Sequence, residues 1–222
     1  MPKNYYEVIK NDKEGKGLLK KNYNPQYGSM HYIDLPFRML IIGPSGSMKT
    51  NTVIDLLNCT NNTWTKIIVC CKSKEEPLYQ FMELKIPITF YEGIENVPKI
   101  EDLDLDDKDQ TIIIFDDLVA EKNQKPMLDY FLRGRKFKIS MVYIAQSYYG
   151  IPKFIRCNST HFLFKSLASV NDLKMVFREH SFTRDLDGLL NLYQFANSEK
   201  TSFFLIDANN GKYYKNWMTK LN

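Results

Sequence analysis

Histidine, cysteine and tryptophan are scarce in this chain, with 3, 4 and 2 among 222 residues. His31, His161 and His180 stand far apart, and Cys59, Cys70, Cys71 and Cys157 contain no C-x-x-C pair. That leaves no Cys/His spacing for zinc, and it excludes a disulfide-stapled secreted scaffold. The cysteines read as buried, reduced thiols, Cys70 and Cys71 lying in an apolar, strand-like run. No apolar run reaches the length of a membrane span, and Met1-Pro2-Lys3-Asn4-Tyr5-Tyr6 has no signal-peptide pattern. A soluble, intracellular protein with no membrane partner is expected. Charge of one sign is lacking too: 30 Lys and Arg face 26 Asp and Glu, a net +4. Such a balance is compatible with nucleic acid or nucleotide phosphates and demands neither. There is no internal repeat or low-complexity block.

What is present is ordinary globular material, 44% hydrophobic and 25% charged, long enough for one sizeable core. Residues 1–35, rich in Lys, Asn, Tyr and Gly, read as an N-terminal arm with one short strand candidate at Tyr5–Ile9. From residue 36 to 222, apolar runs alternate with helical patterns. Strands are expected at residues 37–42, 66–71, 88–91, 111–115, 139–145 and 161–164, and helices at 50–58, 74–84, 124–135, 170–180 and 184–195. A turn or short helix begins at Pro152. The acidic run from Glu101 to Asp109 reads as a solvated loop, since it lacks the spacing and glycine of a calcium loop. Strand–helix alternation of this kind gives an α/β fold with a mostly parallel sheet flanked by helices. Asn210-Gly211 between two last apolar stretches predicts a C-terminal β-hairpin.

The chain is organised around Gly43-Pro44-Ser45-Gly46-Ser47-Met48-Lys49-Thr50, which follows an apolar strand and opens a helix with Asn51 next. This is the layout of a phosphate-binding loop. Backbone N–H groups of the loop and helix N-terminus surround an anion. Lys49 reaches the outer phosphates of ATP and the Thr50 hydroxyl ligates Mg²⁺. The pattern asks for glycine at position 48, where this chain has methionine, a side chain that crowds the phosphates or resists a glycine-only backbone angle.

Ile112-Ile113-Ile114-Phe115-Asp116-Asp117 supplies the acids. Four apolar residues and then an acid form a Walker B pattern, with Asp116 holding Mg²⁺ and Asp117 placed to polarise the attacking water. Gln146 ends the next strand, where its amide can touch both the γ-phosphate and the water. Hydrolysis builds negative charge that an arginine from a neighbouring subunit can stabilise. Arg135 is the first candidate for that role and Arg156 the second, with Arg178 and Arg184 as further options. Gly43, Asp116, Asp117 and Gln146 all fall at expected strand ends, the edge where open α/β sheets bind ligands.

Taken together, IIGPSGSMKTN, IIIFDD and RGRKFKISMVYIAQSYYGIPKFIRCN resemble the genome-packaging ATPases of large DNA viruses, virophages and Polinton-type elements, in the FtsK–HerA branch of P-loop motors. The resemblance spans about residues 36 to 207. It implies a RecA-like sheet with the glutamine strand between the two Walker strands. It also implies a homo-oligomeric ring hydrolysing ATP between subunits, and double-stranded DNA passed into a preformed capsid at its vertex protein, inside the infected cell. By motif position it assigns nucleotide roles to Gly43, Gly46, Lys49 and Thr50, metal and water roles to Asp116 and Asp117, and a sensor role to Gln146. Lys72, Lys74, the Lys136–Lys138 region and Tyr148-Tyr149 are candidate DNA contacts. Two other readings share the loop. One is a nucleotide-binding assembly or DNA-binding subunit whose hydrolysis is weakened by Met48. The other is a P-loop kinase, for which no arginine-bearing lid helix is visible.

Overall fold

The computed structural model describes residues 4–13, 22–106, 108–180 and 185–221. Among them, nine strands form one sheet: β1 (Arg38–Ile42), β2 (Lys66–Cys71), β3 (Thr89–Glu92), β4 (Thr111–Asp116), β5 (Ile139–Ala145), β6 (His161–Phe164), β7 (Phe204–Asp207), β8 (Lys212–Lys215) and β9 (Thr219–Leu221), in the spatial order β3-β2-β4-β5-β1-β6-β7-β8-β9. The pairings from β3 through β6 are parallel, and β7, β8 and β9 continue the sheet antiparallel. β5, the glutamine strand, lies between β4 and β1, the two Walker strands.

Alternate residues of a strand face opposite ways, and here both faces are covered. Met39, Ile41, Ile112 and Ile114 pack with α2 (Lys49–Cys59) and α3 (Pro77–Glu83) through Val53, Leu56, Tyr79 and Met82. Leu40, Ile42, Ile113 and Phe115 pack with α4 (Lys125–Arg133), α5 (Lys153–Asn158), α6 (Asn171–Glu179) and α7 (Leu186–Ala196). Burial on both faces explains why the central strands read as unbroken apolar runs.

The structure departs from expectation at identifiable places. The strand candidate at Tyr5–Ile9 is instead a helix, α1 (Tyr5–Asn11), with Glu7 in its first turn and Lys10 in its last, an arrangement that suits the helix dipole. Residues 22–36 are built onto the chain's own core: His31 and Ile33 are fully buried, Asn24 Nδ2 donates to Ile33 O at 3.0 Å, and Gln110 Nε2 donates to Tyr23 O at 2.7 Å. α3 starts at Pro77, three residues later than the pattern suggested, because proline's fixed φ and missing N–H suit the first helical turn. α4 tightens into a 3₁₀ turn over Gly134–Phe137, where a Cβ on Gly134 would lie 2.8 Å from Met141 Cε. β9 was not expected: Asn216, at φ 56°, turns the chain back after β8. Cys59, Cys70 and Cys71 are buried free thiols, whereas Cys157 is exposed on α5, contrary to expectation.

Candidate nucleotide site

The loop between β1 and α2 is shaped by close approach. Gly43 is buried, and a Cβ there would lie 2.6 Å from Ser47 Oγ and 2.8 Å from Lys165 Cβ. Gly46 has φ +73°. Met48 takes φ 66° and ψ 35°, the left-handed conformation that glycine adopts without penalty. Its carbonyl accepts the first helical bond of α2, from Thr52 N at 3.1 Å, and a second from Thr52 Oγ1 at 3.0 Å. The methionine therefore adopts the glycine-like angle, at a cost of roughly 1–2 kcal/mol. Lys49 Nζ donates to Gly43 O at 2.8 Å and Pro44 O at 2.9 Å. Burial lowers its pKa, an effect opposed by Asp116 and Asp117.

A cleft of about 520 Å³ opens at the carboxyl ends of β1, β4 and β5. Ser45, Gly46, Met48, Lys49, Thr50 and Asn51 form one wall, and Asp116, Asp117 and Gln146 face them across it. Pro44 and Ser47 line a second cleft on the other side of the loop, with residues 197–200. Asp116 is half-buried. Burial raises its pKa, which Tyr79 and Lys49 oppose and Asp117 reinforces. Tyr79 Oη donates to Asp116 Oδ2. Burial, then Asp116, drives the Tyr79 phenol pKa far upward, so it stays a donor. Asp117, exposed at φ 56°, begins the turn after β4 and stands over the cleft.

Sequence reasoning missed Tyr79 and Glu76, which also lines the cleft. The available signal was the acidic Glu75-Glu76-Pro77 helix start directly after a strand neighbouring Walker B, with Tyr79 and Met82 on its buried face.

The two leading arginines are not at this cleft. Arg156, expected as a donor in trans, is 6% exposed, paired with Glu179 at 3.0 Å and stacked 4.9 Å over the Tyr148 ring. A side chain so enclosed cannot reach a neighbour's nucleotide, and the expectation is corrected. Arg135 is exposed, but it precedes β5 and so sits at the amino edge of the sheet, opposite the cleft. Arg178 is exposed near the end of α6, and Arg184 lies outside the described residues. Of the candidate DNA contacts, Lys72, Lys74 and Lys136 are exposed and Lys138 half-buried, while Tyr148 is fully buried and Tyr149 is 77% exposed.

A family model described as "Poxvirus A32 protein" matches residues 26–210. The DNA packaging protein OPG160 of vaccinia virus (strain Copenhagen) is 24% identical over 208 residues, covering 82% of this chain and 73% of the relative. Among solved structures, B204, the DNA-packaging ATPase from Sulfolobus turreted icosahedral virus, superposes with a TM-score of 0.58 at 12% identity, over 84% of this chain and 99% of that one. B204 from Sulfolobus turreted icosahedral virus 2, in complex with ATP-γS, gives 0.56 at 11% identity, over 84% of this chain and 99% of that one.

Proposed function

The chain belongs to the poxvirus A32 protein family, and from that premise we propose that it is an ATP-hydrolysing motor that packages double-stranded viral DNA into a preformed capsid. One observation carries the reading: Lys49, Thr50, Asp116, Asp117 and Gln146, drawn from three adjacent strand ends, meet in a single cleft beside a phosphate loop. The names of its relatives, a DNA packaging protein and a DNA-packaging ATPase, point the same way.

The mechanism follows from the positions. Loop amides and the α2 N-terminus receive the phosphates of ATP. The Lys49 ammonium exchanges the Gly43 and Pro44 carbonyls for phosphate oxygens. The Thr50 hydroxyl and the Asp116 carboxylate are oxygen donors on one cleft, a set that fits a hard cation such as Mg²⁺. Bound there, Mg²⁺ supplies charge neutralisation on the terminal phosphates. Asp117 takes a proton from water as the water oxygen bonds to the γ-phosphorus. The bond to the β–γ bridging oxygen breaks, releasing ADP and phosphate. The Gln146 amide orients the water against the γ-phosphate.

Arg135, at the opposite sheet edge, fits a role in trans. Copies docked head to tail bring an amino edge to a neighbour's cleft, and such heterologous contacts close into rings. The ring, its work at the capsid vertex of the infected cell, and DNA contacts through Lys72, Lys74 and Lys136 belong to this proposal.

Two variants test the chemistry. Lys49→Ala is expected to lose ATP binding in a fluorescent-nucleotide titration. Asp117→Asn is expected to bind ATP as the wild type does and to hydrolyse it about 100-fold more slowly. Undiminished hydrolysis by Asp117→Asn would overturn the role given to that acid.

A further inference from the structure

Gln146 is followed by three residues whose side chains or backbone are held by α6 at both of its ends. At the first turn of α6, Asp172 Oδ1 accepts from Ser147 Oγ at 3.1 Å and from Tyr149 N at 3.4 Å. Tyr149 N also donates to Ser147 Oγ at 3.2 Å, so the three groups close a small ring of bonds directly beside the glutamine. At the last turn, Glu179 Oε2 accepts from Tyr148 Oη at 2.8 Å, and the same hydroxyl lies 3.3 Å from His180 Nε2. Arg156 completes this end, pairing with Glu179 at 3.0 Å, covering the Tyr148 ring, and donating from NH1 to Tyr148 O at 3.4 Å. Tyr148 is fully buried, which desolvates these bonds.

A glutamine that must touch both a phosphate and a water needs a fixed backbone. Gln146 itself is exposed at the rim of the cleft, and among the described residues its own amide has no partner that would fix it. The loop behind it supplies the fixing. We propose that α6 sets the position of Gln146, and that Asp172 is a positioning residue for the nucleotide site although it lies outside the cleft. This rests on the reading of the cleft as a site of ATP hydrolysis. Asp172 accepts its bonds through Oδ1, so an acceptor oxygen is what the loop requires. A helix-dipole role for a first-turn acid requires the charge instead. The two roles predict different variants to be harmful.

Asp172→Asn retains an acceptor oxygen and loses the charge, while Asp172→Ala loses both. The test is steady-state ATP hydrolysis by both variants, with hydrogen exchange over residues 146–150 and a thermal melt on the same samples. Asp172→Ala is expected to lower kcat about tenfold with KM for ATP within about twofold, because misplacement of a reacting group costs rate rather than ground-state binding. It should speed exchange at the Tyr149 amide, and Asp172→Asn should restore both. Equal loss in the two variants, or a lower melt with kcat unchanged, would overturn the proposal. A wild-type chain that binds ATP without hydrolysing it would sink the proposed function instead. Exchange alone then decides the clamp: protection of Tyr149 gained on ATP binding and lost in Asp172→Ala supports it, and indifference to the substitution overturns it.

Discussion

Met48 holds φ 66° where the loop motif has glycine, and its cost is local. Glycine there relieves the left-handed strain of roughly 1–2 kcal/mol but loses more backbone entropy on folding, by roughly 0.5–1 kcal/mol. Met48→Gly is therefore expected to hold or raise stability, by about 0–1.5 kcal/mol, and to leave ATP affinity equal or higher. Met48→Ile, β-branched at a positive φ, is expected to be less stable than the wild type and to weaken nucleotide binding. Urea unfolding and a nucleotide titration check both. Position 48 was legible as an anomaly because the motif is a local spacing, whereas its backbone angle depends on the folded loop.

His31 is a second residue with a measurable signature. Fully buried, with Nδ1 accepting from Ile33 N at 3.0 Å, it has its pKa lowered by burial to about 4, against a weaker opposing pull from Asp34. The folded state therefore binds the proton less readily than the unfolded chain. Its contribution to stability is present in full above about pH 6.5, and is lost as pH falls toward 4, to a total of about 3 kcal/mol. His31→Asn, which keeps an acceptor without a titrating ring, should flatten that part of the pH–stability curve in melts from pH 4 to 7. An equally steep curve would show that the proton goes elsewhere. Nothing in the sequence marked His31 as buried, because it lies in a polar stretch that docks on the core through long-range contacts such as Tyr32 N to Trp217 O.

At the scale of elements, α3 matters more than its seven residues suggest. It brings Tyr79 onto Oδ2 of Asp116, the carboxylate that shares the cleft with Thr50. Tyr79→Phe keeps the packing and removes the bond. The apparent affinity for Mg²⁺ in ATP turnover is expected to weaken about tenfold, with about 1 kcal/mol lost in stability. An unchanged Mg²⁺ titration would contradict the positioning role. The central strands were legible because burial on both faces writes long apolar runs, and β2, β5 and β6 match their expected limits. Helix ends were less legible, since Pro77 and the crowded Gly134 decide them through capping and packing that periodicity does not carry. Arg156 illustrates the same limit. Its spacing from Gln146 suggested catalysis, and only the fold shows Glu179 and Tyr148 enclosing it.

At the scale of the molecule, the parallel half of the sheet has two chemically distinct edges. The carboxyl edge gathers Glu76, Asp116 and Asp117 around the phosphate loop. The amino edge carries Arg38 and Arg135, close enough that Arg135 reinforces the lowering of the Arg38 pKa by burial. The most direct test of the motor is phosphate release by purified wild-type chain, with and without double-stranded DNA, beside Lys49→Ala. Turnover that DNA stimulates and that the Lys49→Ala chain lacks is expected. Turnover indifferent to DNA, or ATP bound and never hydrolysed in any oligomeric state, would contradict it.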